Sequence, residues 1–211
     1  QRLINNFNLW NGFTVGIGDI ENSPELMEQI NKRIQTMEVK TQYLITEVEN
    51  NPDLMTRDLY NRIMFNEYNI VRTEVSKFIT KALKPTNNFY IMNICGAKGD
   101  DINIAKMGGC LGLQAFEGGM IPKKLNNRTL PYYFQNDDRA KSRGFIRSNY
   151  LTGVDYPEFF YVNLVGRQGL VIQAVGTASS GYIQRKMIKT MEDAMVTYDG
   201  TVRTANGGII Q

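Results

Sequence analysis

The chain has 211 residues, enough to bury a real core as one large or two small domains. Its net charge of +3 is too small to argue for nucleic acid by itself, and it has no charge-free apolar run of about 18 residues, the length that spans a bilayer. It contains no histidine, which removes every histidine-based triad, every His-x-x-x-His zinc site and the commonest general base. Cys95 and Cys110 show no CxxC pattern and suit buried thiols in a reducing compartment. No signal peptide is visible. The chain opens at Gln1 without a methionine and reads as an excised piece of something longer.

Residues 1–22 carry an apolar segment followed by GFTVGIGD. The stretch Gly16-Ile17-Gly18-Asp19 lacks the third glycine of a dinucleotide fingerprint and any following Gly-Lys-Ser/Thr, so it reads as a plain turn. A helix start follows. Ser23 can cap, Pro24 fits the first helical position, and Glu25 and Glu28 favour the positive end of the dipole. Apolar residues at Leu26, Ile30, Ile34, Met37, Leu44 and Val48 predict one sticky face to about Glu49. Asn51-Pro52 breaks the pattern. A second helix is predicted from Thr56 to about Leu83 through Tyr60, Met64, Tyr68, Val71, Val75, Phe78 and Ala82. Two long helices joined by a short break form an antiparallel hairpin, and its methionine and aromatic stripe reads as core.

From Pro85 to about Gly153 the chain is rich in Asn, Gly and short apolar runs. Phe89 to Ile94 fits a short helix or a strand. Gly108, Gly109, Gly112, Gly118 and Gly119 predict tight backbone packing in an irregular region. Lys123 to Arg147 holds seven basic and two acidic residues, with Tyr132, Tyr133, Phe134 and Phe145 among them. Such a cluster suits a solvated surface or an internal or subunit contact. The adjacent carboxylates of Asp100-Asp101 and Asp137-Asp138 need not converge, so they are weak magnesium candidates. Lys98, in Gly96-Ala97-Lys98-Gly99, can be presented from a tight turn toward a phosphate.

The stretch from Tyr156 to Arg203 has the length and periodicity of one long helix, yet it carries Gly166, Gly169, Gly176 and Gly181. Each interior glycine costs a helix roughly 0.8–1 kcal/mol against alanine. The compensation is close approach by another backbone or ligand, or a need to bend. The fold class is therefore mainly α (α-rich mixed): a helical hairpin, an irregular glycine-rich middle with minor β, and one long helix.

The residues also carry a resemblance. VGRQGL, TASSGYIQRK and MEDAMVTYDGTVR resemble the bridge helix in the largest subunit of multisubunit RNA polymerases, in its RNA polymerase II-like version. NGFTVGIGD, GAKGDDINIAKM, FEGGMIP, NRTLPYYFQNDDRAKSRGFIRSNYLTG and YPEFF look like successive blocks of the same family, in the family's order. They cover essentially the whole chain, with the hairpin the least specific part. The resemblance implies that residues 1–22 end the pore domain, 23–153 form the funnel, and 154–211 begin the next domain with the bridge helix. It implies two magnesium ions held by an aspartate motif similar to NADFDGD, which is absent from this chain, so the piece would not catalyse alone. Lys98 would reach the incoming triphosphate. Thr177 and Ala178 would pack against the templating base pair, with Gly181 one turn on, and Tyr182 and Arg185 would face the template strand.

Some positions depart from the family pattern. Gly176 stands where a lysine is usual, Gln168 where a glutamate is, and Ser179-Ser180 where an acidic-threonine pair is. These changes suggest a divergent lineage; the abundance of Asn and Ile over Ala favours a large DNA virus over a nuclear enzyme, although an AT-rich eukaryote would produce the same bias. The implied partners are other polymerase subunits, template DNA and the RNA–DNA hybrid, nucleoside triphosphates, and a transcript-cleavage factor at the funnel, with no homo-oligomer. The implied location is intracellular: the nucleus for a cellular enzyme, the cytoplasm for a cytoplasmic virus. A reading of another class is a non-enzymatic helical adaptor distantly related to the funnel.

Overall fold

The computed structural model describes residues 1–210, without the side chain of Pro52. The chain divides into two compact units, Gln1–Val165 and Gly166–Gln211.

The first unit is built on the predicted hairpin. α1 (Arg2–Asn11) precedes it and buries none of its side chains. α2 spans Pro24–Asn50 and α3 Arg57–Ala82. The Ser23 hydroxyl accepts from the Leu26 amide, and Pro24 occupies the first turn, so α2 begins where the local chemistry predicts. Two ion pairs, Arg33–Glu74 and Lys40–Glu67, show the pairing sense. Each step forward along α2 is a step back along α3, so the helices are antiparallel.

Ile30, Ile34 and Met37 of α2 and Met64, Tyr68, Val71, Val75 and Ile79 of α3 are at most 1% exposed and belong to one cluster. Fully burying such a side chain is worth about 1.5–3 kcal/mol. The expected Leu44 and Val48 of α2 and Phe78 of α3 are half-buried and pack against this cluster, while Ala82 is exposed; the fully buried positions beside them are Thr41 and Ile45 on α2 and Ile79 on α3. A helix of 3.6 residues per turn drifts against a 3.5-residue spacing, so the buried line moves to the neighbouring residue. The Thr41 hydroxyl is satisfied by the Met37 carbonyl at 2.9 Å.

Beyond the hairpin lie α4 (Asn88–Ile94), which settles the helix-or-strand choice for that segment, and α5 (Asp101–Gly108). β1 (Gly112–Leu113) pairs antiparallel with β2 (Phe145–Ile146). Tight glycine packing holds at Gly108 and Gly109. A Cβ on Gly108 would stand 2.6 Å from the Ile20 carbonyl oxygen, and one on Gly109 would stand 2.3 Å from Ile79 Cδ1. It does not hold at Gly118 and Gly119, where no heavy atom crowds a Cβ. Those residues serve a turn in which Glu117 and Gly118 both have positive φ, 51° and 77°. A second cluster gathers Leu111, Ile121, Tyr133, Ile146 and Tyr161. The Tyr161 hydroxyl donates to the Ser142 carbonyl at 2.9 Å.

α6 spans Tyr156–Met191, and this corrects the expectation of one helix to Arg203. In the second unit the chain beyond it forms a three-stranded antiparallel sheet: β3 (Met195–Val196), β4 (Val202–Arg203) and β5 (Ile209–Ile210). The reason is turn chemistry. Gly200 and Gly207 adopt φ of 78° and 79° in Asp199-Gly200 and Asn206-Gly207, and both pairs favour hairpin turns. Asp199 fixes the first turn by accepting from the Thr201 amide at 3.1 Å and the Thr201 hydroxyl at 2.7 Å.

Candidate functional site

Lys98 lies in the first unit, in the turn between α4 and α5. The turn is framed by Gly96 and Gly99, with φ of 65° and 80°, a region that favours glycine. Both ends are pinned. The Gly96 and Ala97 amides donate to the Asn93 and Met92 carbonyls at 3.0 and 3.1 Å at the end of α4, and Asp100 accepts from the Asn103 amide at 2.9 Å at the start of α5; the Asn87 side chain accepts from the Phe89 amide at the other end of α4. Asn87 also donates to the Asp19 carbonyl at 2.7 Å, tying the segment to the chain before α2. Lys98 itself is exposed and has no ion-pair or hydrogen-bonding partner among the described residues. Its ammonium is thus an available point charge on a pinned turn.

Thr177, Ala178, Gly181, Tyr182 and Arg185 lie in the second unit, all exposed on α6. At 3.6 residues per turn they fall within about 140° around the helix axis, so they form one continuous face. The face is small at one end and cationic at the other. The Thr177 hydroxyl donates to the Gln173 carbonyl at 2.7 Å, which leaves it as an acceptor toward a ligand. Among the described residues nothing beyond the adjoining helix backbone lies within 4 Å of a Cβ built on Gly166, Gly169, Gly176 or Gly181. Tyr182 is 63% exposed and carries the Lys186 ammonium 4.4 Å from its ring centroid. Lys186 was not singled out from the sequence, although the four-residue spacing of an aromatic and a lysine on a helix was visible. Arg185 has no partner among the described residues.

The carboxylates do other work. Among the described residues no group of three or more His, Cys, Asp or Glu side chains could hold a metal ion. Asp100 caps α5, and Asp101 accepts from the Asn93 side chain. Asp137 accepts from the backbone and guanidinium of Arg139 at 2.7–3.2 Å. Burial alone would raise the Asp137 carboxyl, but the hydrogen bonds from Arg139 and Ser142 outweigh it and hold the group below the usual carboxylate range. Among the described residues these carboxylates are engaged in caps, side-chain hydrogen bonds and ion pairs.

Of the seven basic residues from Lys123 to Arg147, Lys124, Arg139, Lys141 and Arg147 are exposed, whereas Lys123 and Arg143 turn inward. Asp138 faces Lys123 Nζ at 2.7 Å and the guanidinium groups of Arg57 and Arg143 at 3.4 Å each. Burial pushes the Lys123 and Arg143 pKa values down, while Asp138 pulls both back up. Burial likewise pushes the Tyr60 hydroxyl up to about 12 and the Cys110 thiol up to about 11, so both stay neutral core groups. Cys95, expected as a buried thiol, is exposed, and its Sγ donates to the Ile91 carbonyl.

No helix is long and apolar enough to cross a membrane among the described residues. A family model described as RNA polymerase Rpb1, domain 4, matches residues 23–146, and one described as RNA polymerase Rpb1, domain 5, matches residues 153–211. The chain is 36% identical over 210 residues to DNA-directed RNA polymerase subunit 1 of Acanthamoeba polyphaga mimivirus; the match covers 100% of this chain and 14% of that relative. The chain belongs to the RNA polymerase Rpb1 family and is part of the largest subunit of a DNA-directed RNA polymerase.

Proposed function

We propose that this segment supplies two parts of the transcribing enzyme: the funnel through which nucleotides enter, and the bridge helix that positions the template. In this reading residues 1–22 end the pore domain, 23–153 form the funnel and 154–211 open the cleft domain. The observation that carries it is the α6 face. The helix forgoes roughly 0.8–1 kcal/mol of propensity at each of four glycines, and among the described residues nothing beyond the adjoining helix backbone lies within 4 Å of a Cβ built there. Such an arrangement suits a flat partner that must come close, and the end of a nucleic-acid duplex is one.

Thr177 and Ala178 then abut the templating base pair, and Gly181 keeps the next turn clear. Tyr182 packs on the template strand while Arg185 meets its phosphates. Lys98 contacts the incoming triphosphate with a charge-assisted bond. The chemistry supplied by magnesium belongs to residues of the parent subunit outside this chain, so the isolated segment is inactive. In-line phosphoryl transfer depends on positioning as well as on charge neutralisation, and positioning is what these residues provide. The partners are other polymerase subunits, template DNA with its RNA hybrid, nucleoside triphosphates, and a transcript-cleavage factor at the funnel. The mimivirus relative supports a viral lineage, and with it a cytoplasmic site of action.

Ala178→Trp in the assembled polymerase tests the reading. The side chain at 178 is exposed, so assembly is expected to survive while elongation is abolished. Near-normal elongation would show that this face does not meet the base pair.

A further inference from the structure

The first unit carries a groove that neither proposed role uses. It lies between the C-terminal half of α2 and the segment 132–142, around a cavity of about 970 Å³. Val39 and Tyr43 stand on one wall, and Tyr132 and Phe134 on the other, 68–80% exposed. Four large apolar side chains left in water around one cavity add little to the core of this unit. A contiguous patch of that kind marks an interaction site.

The groove is preformed. Its floor is core, with Thr41, Ile45, Tyr133, Ala140 and Ser142 buried. The 132–142 wall is pinned from behind: the single Ser142 hydroxyl proton is shared between the carbonyls of Asp137 and Arg139 at 3.0 and 2.8 Å, and Asp137 grips the Arg139 guanidinium. A wall fixed in advance lowers the ordering cost of binding.

Charge selects the occupant. The cations beside the aromatic rings are already neutralised, Arg139 by Asp137 at 2.7 Å and Lys141 by Asp155 at 2.8 Å. Glu38 has no partner cation among the described residues. It lines both this groove and an adjoining cleft of about 450 Å³, where Glu38, Asp155 and Glu158 stand against Lys141 and Arg147. Glu158 is buried and accepts from the Ser148 hydroxyl, Asp155 holds Lys141, and Arg147 donates to Asn31, so among the described residues Glu38 is the carboxylate left without a partner where the aromatic trough meets the polar cleft.

We propose that the groove docks a peptide segment of a separate protein, one carrying a lysine or arginine beside aromatic or aliphatic anchors. The cation meets Glu38, and the anchors lie against Tyr43, Tyr132 and Phe134, whose rings also attract the cation. An apolar centre inside a charged rim is the anatomy of a non-obligate interface, whereas a face covered permanently is more uniformly apolar. The inference stands on the first unit alone and does not depend on the role of α6.

The test uses the assembled polymerase and a panel of fluorescein-labelled peptides, each with two aromatic anchors flanking a lysine. A twin set carries glutamate in place of lysine. Anisotropy titration is expected to show micromolar binding of lysine peptides and a loss of about tenfold or more in their twins. Glu38→Lys should reverse that preference, and Tyr132→Ala with Phe134→Ala should weaken both sets by about tenfold. RNA synthesis by the variants should stay at the wild-type level, which separates this site from the α6 reading. Binding that ignores the charge at position 38, or no binding by any peptide of the panel, overturns the proposal. So does a photo-crosslink from a benzophenone amino acid in place of Phe134 to the parent subunit itself in the peptide-free enzyme.

Discussion

Asp138→Asn is the sharpest probe of how this segment is held together. The substitution keeps the side chain's shape and removes its charge. The side chains of Lys123 and Arg143 are only 5% and 6% exposed, so water cannot replace the lost carboxylate. Burial already depresses both cations, and Asp138 opposes that depression. Without it Lys123 moves further toward the neutral amine, while Arg143 stays charged and uncompensated. Breaking a buried pair by removing one partner costs about 3–5 kcal/mol. At roughly 2–4 °C per kcal/mol for a domain of this size, the expected fall in Tm is about 6–20 °C. Calorimetry of the 211-residue chain measures it. Lys123→Met added to Asp138→Asn should recover part of the loss, because an apolar side chain then replaces a stranded cation. A loss below about 1 kcal/mol, the range of exposed pairs, would refute the reasoning and place the cluster in solvent.

Three further outcomes are expected. Lys98→Ala in the assembled enzyme should raise the apparent nucleotide KM roughly ten- to a hundredfold, since one charge-assisted contact is worth about 1.5–3 kcal/mol; an unchanged nucleotide dependence removes Lys98 from the site. Gly181→Ala should stabilise α6 in the isolated chain by up to about 1 kcal/mol, because among the described residues nothing beyond the adjoining helix backbone lies within 4 Å of the added Cβ. The same change should slow elongation in the assembled enzyme, and equal rates would mean that no partner approaches there. Asp137 should shape the acid limb of stability. Its folded pKa lies below the ordinary 3.8, so its contribution is complete above that value and is lost as pH falls from there through the folded value. Asp137→Asn should flatten that part of the curve, and an unaltered acid limb would count against the Arg139 pairing.

The sequence by itself determined the hairpin, because its signals are local. Ser23 and Pro24 start α2, Asn51-Pro52 ends it, and the spacing of apolar residues marks the buried faces of α2 and α3. It also determined the family, through ordered blocks spread along the chain. The end of α6 was written locally too, in Asp199-Gly200 and Asn206-Gly207, but helical periodicity masked those turns until the β3–β5 pairing showed them. Tertiary structure alone decided the fate of the charges. Asp138 is near Arg143 in sequence, but nothing local says that either lies inside, because Lys123 and Arg57 reach the same carboxylate from other segments. The same holds for the pairing of Gly112 with Ile146 and for the groove between α2 and residues 132–142. Propensity and capping act over a few residues and can be read along the chain. Burial of charge and pairing of strands depend on which distant segments meet, and only the folded chain brings them together.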